Sequence, residues 1–431
     1  VTGEESEIRQ LRDLASALFE EGVAAADPRL ALEKAFGENP LSPLQEGRYL
    51  VIALGKAAGA MAETCLRALP EKTPHECLVI TNYENATEIE GARCFAAGHP
   101  VPDENGLAAG QAIIDMLATT TPQDRVIVLI SGGGSALVPA PLPSLTLEDK
   151  AAVNRLLLAN GYVIQEMNLV RQCLSQLKGG GLSQLAAPAS VDSFILSDVV
   201  GDDLSVIASG PTNPPLGSKR DALALFAAKG LVEQLPPSVR AVLEAPDEAE
   251  PIDFSNTTNR LIGSNRLSLD AVLEALPLGW HGKILDDLLE GDVEVVAPRL
   301  LEAACAAPEG QKTACIWGGE TTVTLKGDGK GGRNQELALR FAAASEEQPI
   351  DGHWVFLSGG TDGRDGPTDS AGGLVDAETL YRIRQAGARP RELLANNDSY
   401  KALELSGDHL MIGATGTNVA DIQICLVDKS Q

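Results

Sequence analysis

The stretch that most constrains this chain is Leu357-Ser358-Gly359-Gly360-Thr361-Asp362-Gly363-Arg364-Asp365-Gly366-Pro367-Thr368-Asp369. The apolar run Trp354-Val355-Phe356-Leu357 stops there at two glycines, and three aspartates and an arginine follow within thirteen residues. A buried strand that empties into such a loop delivers side chains to a ligand. Glycines let backbone approach closely, and successive free N–H groups form a concavity suited to phosphate oxygens. Two echoes strengthen this reading. Val126–Ile130 runs into Ser131-Gly132-Gly133-Gly134-Ser135, and Ala314–Trp317 runs into Gly318-Gly319-Glu320-Thr321. In open α/β sheets, ligands bind beyond the carboxyl ends of strands, so these loops are expected to line one cleft.

Composition narrows the partners. The formal charge is −26, from 34 basic and 60 acidic residues, which disfavours nucleic acid and anionic membranes because both demand basic patches. An anionic small molecule would then need a locally basic pocket. Seven cysteines without a C-x-x-C pair read as reduced core residues, not as a disulfide frame or zinc site. No apolar run approaches the roughly 18 residues of a membrane span, and no basic-then-apolar leader opens the sequence. The expectation is a soluble, cytoplasmic protein. Its 431 residues suit two α/β domains, placed at 1–250 and 251–431 because the proline- and acid-rich 236–258 stretch reads as the junction.

Along the chain, Ile8, Leu11, Leu14 and Leu18 recur at helical spacing. Tyr49–Leu54 reads as the first buried strand and ends at Gly55-Lys56-Ala57-Ala58, so Lys56 falls at a helix start where an anion is already favoured. Thr146 with Asp149 resembles a capping box. Asn168, Arg171 and Ser175 share one helical face ahead of Lys178-Gly179-Gly180-Gly181, a poor helix end and a good anion turn. Ser193–Leu196 ends at Ser197-Asp198 and Gly201-Asp202-Asp203. Asn259–Asn265 is expected to start the second unit, and Thr322–Leu325 alternates like a half-exposed hairpin strand. Residues 327–332 match G-x-G-x-x-G, which by itself is weak evidence for a dinucleotide.

Glycine loops, a few basic groups (Lys56, Arg171, Lys178, Arg333) and clustered aspartates are what phosphoryl transfer requires. Amides and cations hold phosphates, carboxylates hold Mg²⁺, and one carboxylate can take the acceptor's proton. The residues alone indicate a small-molecule kinase. Two alternatives stand beside it: an NAD(P)H-dependent hydroxypyruvate or tartronate semialdehyde reductase using the Gly327 loop, and a non-catalytic small-carboxylate binding protein.

The ordered motifs Leu54–Ala58, Ser131–Ala136, Arg171 with Lys178–Gly180, Ser197–Val199, Gly201–Asp203, Ser209–Thr212, Gly319–Val323, Gly331–Glu336, the 357–369 loop, Asn396–Tyr400 and Thr415–Asn418 resemble the class II glycerate kinases, the MOFRL-type glycerate 2-kinases. Val200, Leu204 and Ala414 stand where that pattern carries proline, and Ala420 where it carries asparagine. The resemblance implies ATP-dependent phosphorylation of D-glycerate at its 2-hydroxyl, with Mg²⁺. It implies a larger Rossmann-like N-terminal α/β domain, a smaller C-terminal α/β domain, and an active site in the cleft between them. A homodimer is left open. On this resemblance Lys56, Arg333, Asp198 and Asp362 are catalytic, and Asp198, Asp202 and Asp362 bind metal. Ser131, Gly132, Gly133, Gly134, Ser135, Lys178, Gly179, Gly180, Thr415, Gly416, Thr417 and Asn418 bind nucleotide or phosphate. Arg171, Glu320, Asn334, Gln335 and Asn397 bind substrate.

Overall fold

The computed structural model describes residues 3–246 and 253–430. The chain divides into two compact units, one of Ala31–Ile262 and the other of Gly263–Gln431 together with Val1–Leu30.

The Ala31–Ile262 unit is built on strands β1 (Tyr49–Leu54), β2 (His75–Asn82), β3 (Arg93–Ala97), β4 (Arg125–Ile130), β5 (Ser190–Leu196) and β6 (Thr257–Gly263), in the order β3-β2-β1-β4-β5-β6. β1 pairs in parallel with both β2 and β4, and β2–β3 and β4–β5 are parallel too. Every residue of β1 is buried. Leu50, Ile52, Leu54, Val128 and Ile130 pack on one face with Ile113 and Leu117 of the Glu104–Leu117 helix. Tyr49, Val51, Ala53 and Leu129 pack on the other with Met61, Ala62 and Cys65 of the Ala58–Ala68 helix. A sheet covered on both faces needs continuous apolar strands, which is why these runs are legible in the sequence. The strand order reverses at β1 and β4, the switch point where doubly wound sheets open a ligand crevice.

The second unit's sheet uses β7 (Trp280–Asp292), β8 (Lys312–Thr322), β9 (His353–Gly360), β10 (Gly372–Asp376), β11 (His409–Leu410) and β12 (Asp421–Asp428), in the order β11-β10-β9-β12-β8-β7. β7 runs parallel to β8, and the other pairs are antiparallel. On one face Ile422, Ile424, Val355 and Leu357 meet Leu11, Ala15, Leu18 and Phe19 of the leading Gly3–Ala25 helix. On the other, Cys425, Val427 and Phe356 meet Phe341 of the Arg333–Glu347 helix, with the two phenylalanine rings stacked at 4.0 Å.

Several expectations change. The leading helix packs with the second unit, not the first, because its apolar stripe is the cover for one face of β9 and β12. Residues 259–263 do not open the second unit; they form β6 of the first sheet. The 250/251 boundary itself lies outside the described residues. β8 ends at Thr322, so Thr322–Leu325 is not a hairpin strand. The Ile164–Cys173 helix ends before Ser175, which bridges to Pro141 instead of sharing a helical face with Arg171. No described helix is long and apolar enough to cross a membrane.

Candidate functional site

At the switch point, β1 and β4 end side by side at Gly55-Lys56 and Ser131–Ser135. Gly55 takes φ of 120° and a Cβ there would run into Ser131, so only glycine lets the two strand ends meet. The Lys56 N–H donates to the Gly132 carbonyl at 2.9 Å, and the Ala57 N–H donates to Ser131 Oγ at 3.0 Å. Lys56 itself is exposed, one turn ahead of the Ala58–Ala68 helix. A Cβ on Gly133 would lie 3.1 Å from the His99 ring and 3.5 Å from Lys56 Cγ, so these three converge. Burial, reinforced by the Lys56 ammonium, holds the His99 imidazole below its ordinary pKa. Among the described residues, the N–H groups of Gly132, Gly133, Gly134 and Ser135 donate to no backbone carbonyl. A Cβ on Gly132 would strike the Asp198 carboxylate, which places that half-buried acid against the same loop from the end of β5. Asp202, on the turn that follows, is half-buried with φ of 53°.

The Lys178-Gly179-Gly180-Gly181 turn departs from its expected role as an anion cradle. The Gly179 and Gly180 N–H groups donate to the Ser209 and Gly210 carbonyls at 3.0 and 2.8 Å, and the Gly181 N–H donates to the Lys178 carbonyl at 3.1 Å. The amides are consumed by the fold. Lys178 instead reaches back to the switch-point loop, where its Nζ donates to Ser135 O at 2.6 Å and Ser135 Oγ at 2.8 Å. Arg171 stands beside it, donating to Asn154 Oδ1 at 2.5 Å.

In the second unit, the centre is Arg333, the first residue of the Arg333–Glu347 helix. Its Nε and Nη2 fork onto Asp421 at 2.6 and 2.9 Å, and its Nη1 lies 3.1 Å from Glu320. Asp421 is wholly buried at the start of β12, in register with Gly319 of β8 and Gly360 of β9. A Cβ on Gly360 would lie 3.2 Å from Asp362 and in ordinary contact, 3.6 Å, with Asp421, whereas one on Gly319 would run into the Leu289 backbone. Burial raises the Asp421 carboxyl to about 6 against the opposing pull of Arg333. Asp362 is half-buried and accepts from the Arg364 N–H at 3.0 Å. Asp421 was not among the sequence candidates. Its signal is an acid at the head of the final strand, ahead of the mostly apolar run Ile422–Val427.

Asn334, Gln335 and Asn397, expected to face substrate, are buried and bonded within the protein. Asp365 accepts from the Asn334 and Gln335 N–H groups at 3.1 and 2.9 Å and from Gln335 Nε2 at 3.0 Å, capping the helix from the 357–369 loop. Asn334 Oδ1 accepts from Ser358 Oγ at 2.7 Å. Asn397 Nδ2 donates to Glu336 Oε2 at 3.0 Å. These three side chains brace the loops that carry the site. In the 415–418 segment, Thr415 Oγ1 donates to Thr361 O and Thr417 Oγ1 to Ala26 O, both at 2.6 Å, while Gly416 and Asn418 are exposed. Among the described residues no three acidic, histidine or cysteine side chains converge as a metal cage.

The G-x-G-x-x-G match resolves by the same accounting. The Gly327 N–H donates to Asn397 Oδ1 at 3.1 Å, Asp328 to Asn396 Oδ1 at 3.2 Å, Gly329 to Asn396 O at 2.9 Å and Lys330 to Asp398 Oδ1 at 3.2 Å. A pyrophosphate-binding loop needs those donors free. Here they stitch the loop to its neighbour.

A doubly wound parallel sheet with a glycine loop at its switch point, followed in the chain by a mixed sheet with an arginine–carboxylate cluster, defines a two-unit α/β protein. Residues 14–244 match a domain of unknown function (DUF4147), and residues 313–421 match the MOFRL family. The chain is 38% identical over 424 residues to the D-glycerate 2-kinase of Thermotoga maritima (97% of this chain, 98% of that protein). It is 37% identical over 490 residues to the glycerate kinase of Rattus norvegicus (96% and 92%). It is also 39% identical over 424 residues to a protein of Agrobacterium vitis named putative hydroxypyruvate reductase (96% and 94%). The crystal structure of glycerate kinase from Thermotoga maritima superimposes with a TM-score of 0.89 at 36% identity, over 97% of this chain and all of that one. The chain belongs to the MOFRL-type glycerate kinase family.

Proposed function

We infer that this protein is an ATP-dependent glycerate 2-kinase, transferring the γ-phosphoryl group to the 2-hydroxyl of D-glycerate to give 2-phosphoglycerate and ADP. The observation that carries this reading is the switch point, where Lys56 stands beside the Ser131–Ser135 glycine loop at the joined ends of β1 and β4. Fixed donors aimed at developing phosphoryl charge are the main catalytic resource of such enzymes. The reductase reading relies on the Gly327 loop, whose donors from Gly327 to Lys330 are occupied, so the name carried by the Agrobacterium vitis relative is not transferred to this chain.

In this reading Lys56 and Arg333 neutralise the transferring phosphoryl and the glycerate carboxylate. Asp421 fixes the plane and direction of the Arg333 fork. Asp198 and Asp362, at the ends of β5 and β9, supply the base that takes the hydroxyl proton. Mg²⁺ entering with ATP contributes charge neutralisation, with Asp198, Asp202 and Asp362 as its candidate holders. Mg²⁺ keeps several waters and takes one or two carboxylates plus phosphates, so half-exposed acids suit it without a dedicated cage.

Purified protein with D-glycerate, ATP and Mg²⁺ should release ADP, and ³¹P–¹H NMR should place phosphate on carbon 2. Phosphate on carbon 3 would overturn the regiochemistry. No ADP release, with NADH oxidised on hydroxypyruvate, would sink the kinase reading.

A further inference from the structure

From the switch-point loop a cavity of ≈ 540 Å³ extends within the Ala31–Ile262 unit, reaching from Gly133 and His99 to the Leu147–Ala159 helix. Its wall carries Lys150, Arg155, Arg171 and Lys178 and no carboxylate, although acids outnumber basic residues in the chain by 60 to 34. Arg155 pairs with Glu148 at 2.9 Å. The other three meet only neutral acceptors: Lys150 the Pro139 carbonyl, Arg171 the amides of Asn154 and Asn168, and Lys178 the Ser135 oxygens. Three cations gathered without an acid repel one another, and the arrangement is stabilised when an anion enters. Burial, then Arg171, pushes the Lys150 ammonium down to about 7. Burial, then Lys150 and Arg171, depresses Lys178 as well.

Apart from His99, Ser135 and Asn154, the rest of the wall is apolar. Val101 and Leu158, 73% and 60% exposed, stand among its lining residues as large apolar side chains left in water. The volume falls in the roughly 300–1,000 Å³ range of pockets that enclose ligands far larger than a three-carbon acid. One end reaches Gly133, beside Lys56.

We propose that this cavity seats the nucleotide, with its polyphosphate on Lys150, Arg171 and Lys178, its reactive end toward Lys56, and its base against the apolar wall at Val101 and Leu158. This rests on the kinase reading and adds to it Lys150 as a phosphate-binding residue. It also assigns Arg171, expected from the sequence to meet glycerate, to the nucleotide.

The test compares wild type with Lys150→Met, Lys150→Arg and Leu158→Asp. ADP binding is measured by calorimetry without glycerate, and the KM values for ATP and glycerate are measured separately. Lys150→Met should weaken ADP binding and raise the ATP KM tenfold or more, leaving the glycerate KM within twofold, and Lys150→Arg should restore most of the loss. Leu158→Asp, at a surface position where folding is not at stake, should weaken ADP binding at least fivefold. A raised glycerate KM with unchanged ADP affinity overturns the assignment in favour of a small-carboxylate site. Unchanged ADP affinity in both Lys150→Met and Leu158→Asp overturns it outright, and if Lys150→Met does not fold, Leu158→Asp alone decides. Wild type that binds ADP through Lys150 but forms no phosphoglycerate refutes the kinase reading and leaves the cavity assignment standing. Wild type that binds no ADP refutes the assignment whatever the activity.

Discussion

Single side chains carry the chemistry, and their surroundings say how. Lys56 is exposed beside the Ser131–Ser135 loop, so removing its charge should cost transition-state stabilisation and little stability. Lys56→Ala is expected to lower kcat/KM by roughly 10² or more, about 2.7 kcal/mol, with an unchanged melting temperature; a rate near wild type would remove it from the mechanism. Arg333 is held by a two-point fork that lysine cannot reproduce. Arg333→Lys should therefore lose most activity, and adding Asp421→Asn should cost much less than the product of the single losses, because both break one unit. Fully multiplicative losses would show that Asp421 does not act through Arg333. Asp421 also links stability to pH. Its folded pKa of about 6 exceeds the ordinary carboxylate value of about 3.9, so its contribution is full below the lower value and lost as pH rises through the higher one. The stability advantage of wild type over Asp421→Asn should shrink between about pH 4 and 7 in thermal melts; a constant difference refutes the linkage.

At the scale of elements, what was legible depended on burial. β1, β4, β5, β8 and β9 were visible as apolar runs because both sheet faces are covered. β7 was not, since its half-exposed pattern with Asp286, Asp287 and Glu290 carries no such run. The β10 and β11 strands are short, and pairing defines them more than composition does. The Gly3–Ala25 helix was legible as amphipathic, but its partner was not, because a stripe of leucines does not say which sheet it covers. Phe19 is wholly buried on that sheet. Phe19→Ala should destabilise the second unit by about 3–5 kcal/mol in denaturant melts, although the residue lies at the opposite end of the chain. A loss below about 1 kcal/mol would mean that the helix is not part of that core.

For the whole molecule, a net charge of −26 implies self-repulsion that salt should relieve. Raising ionic strength from about 0.01 M to about 0.15 M shortens the screening length from roughly 30 to 8 Å and should raise the melting temperature. The same change should weaken nucleotide binding, because the basic cavity attracts its ligand against that background. A melting temperature that falls with salt would show that local ion pairs outweigh the net repulsion.

By itself the sequence determined the α/β class, the run of buried strands, the glycine loops at their ends and the basic residues Lys56 and Arg333, because strand burial and turn chemistry are local properties written in adjacent residues. Only the tertiary structure decided which of those glycine loops spend their amides within the fold. Gly179, Gly180 and Gly327–Lys330 spend them on partners distant in the chain, whereas among the described residues Gly132–Ser135 donate to no backbone carbonyl. It also decided that Asp421 lies under Arg333 and that Lys150 faces Arg171 and Lys178 across one cavity. A hydrogen-bond donor is available or spent according to what folds against it, and that neighbour is fixed by packing across the whole chain, not by the residues beside it.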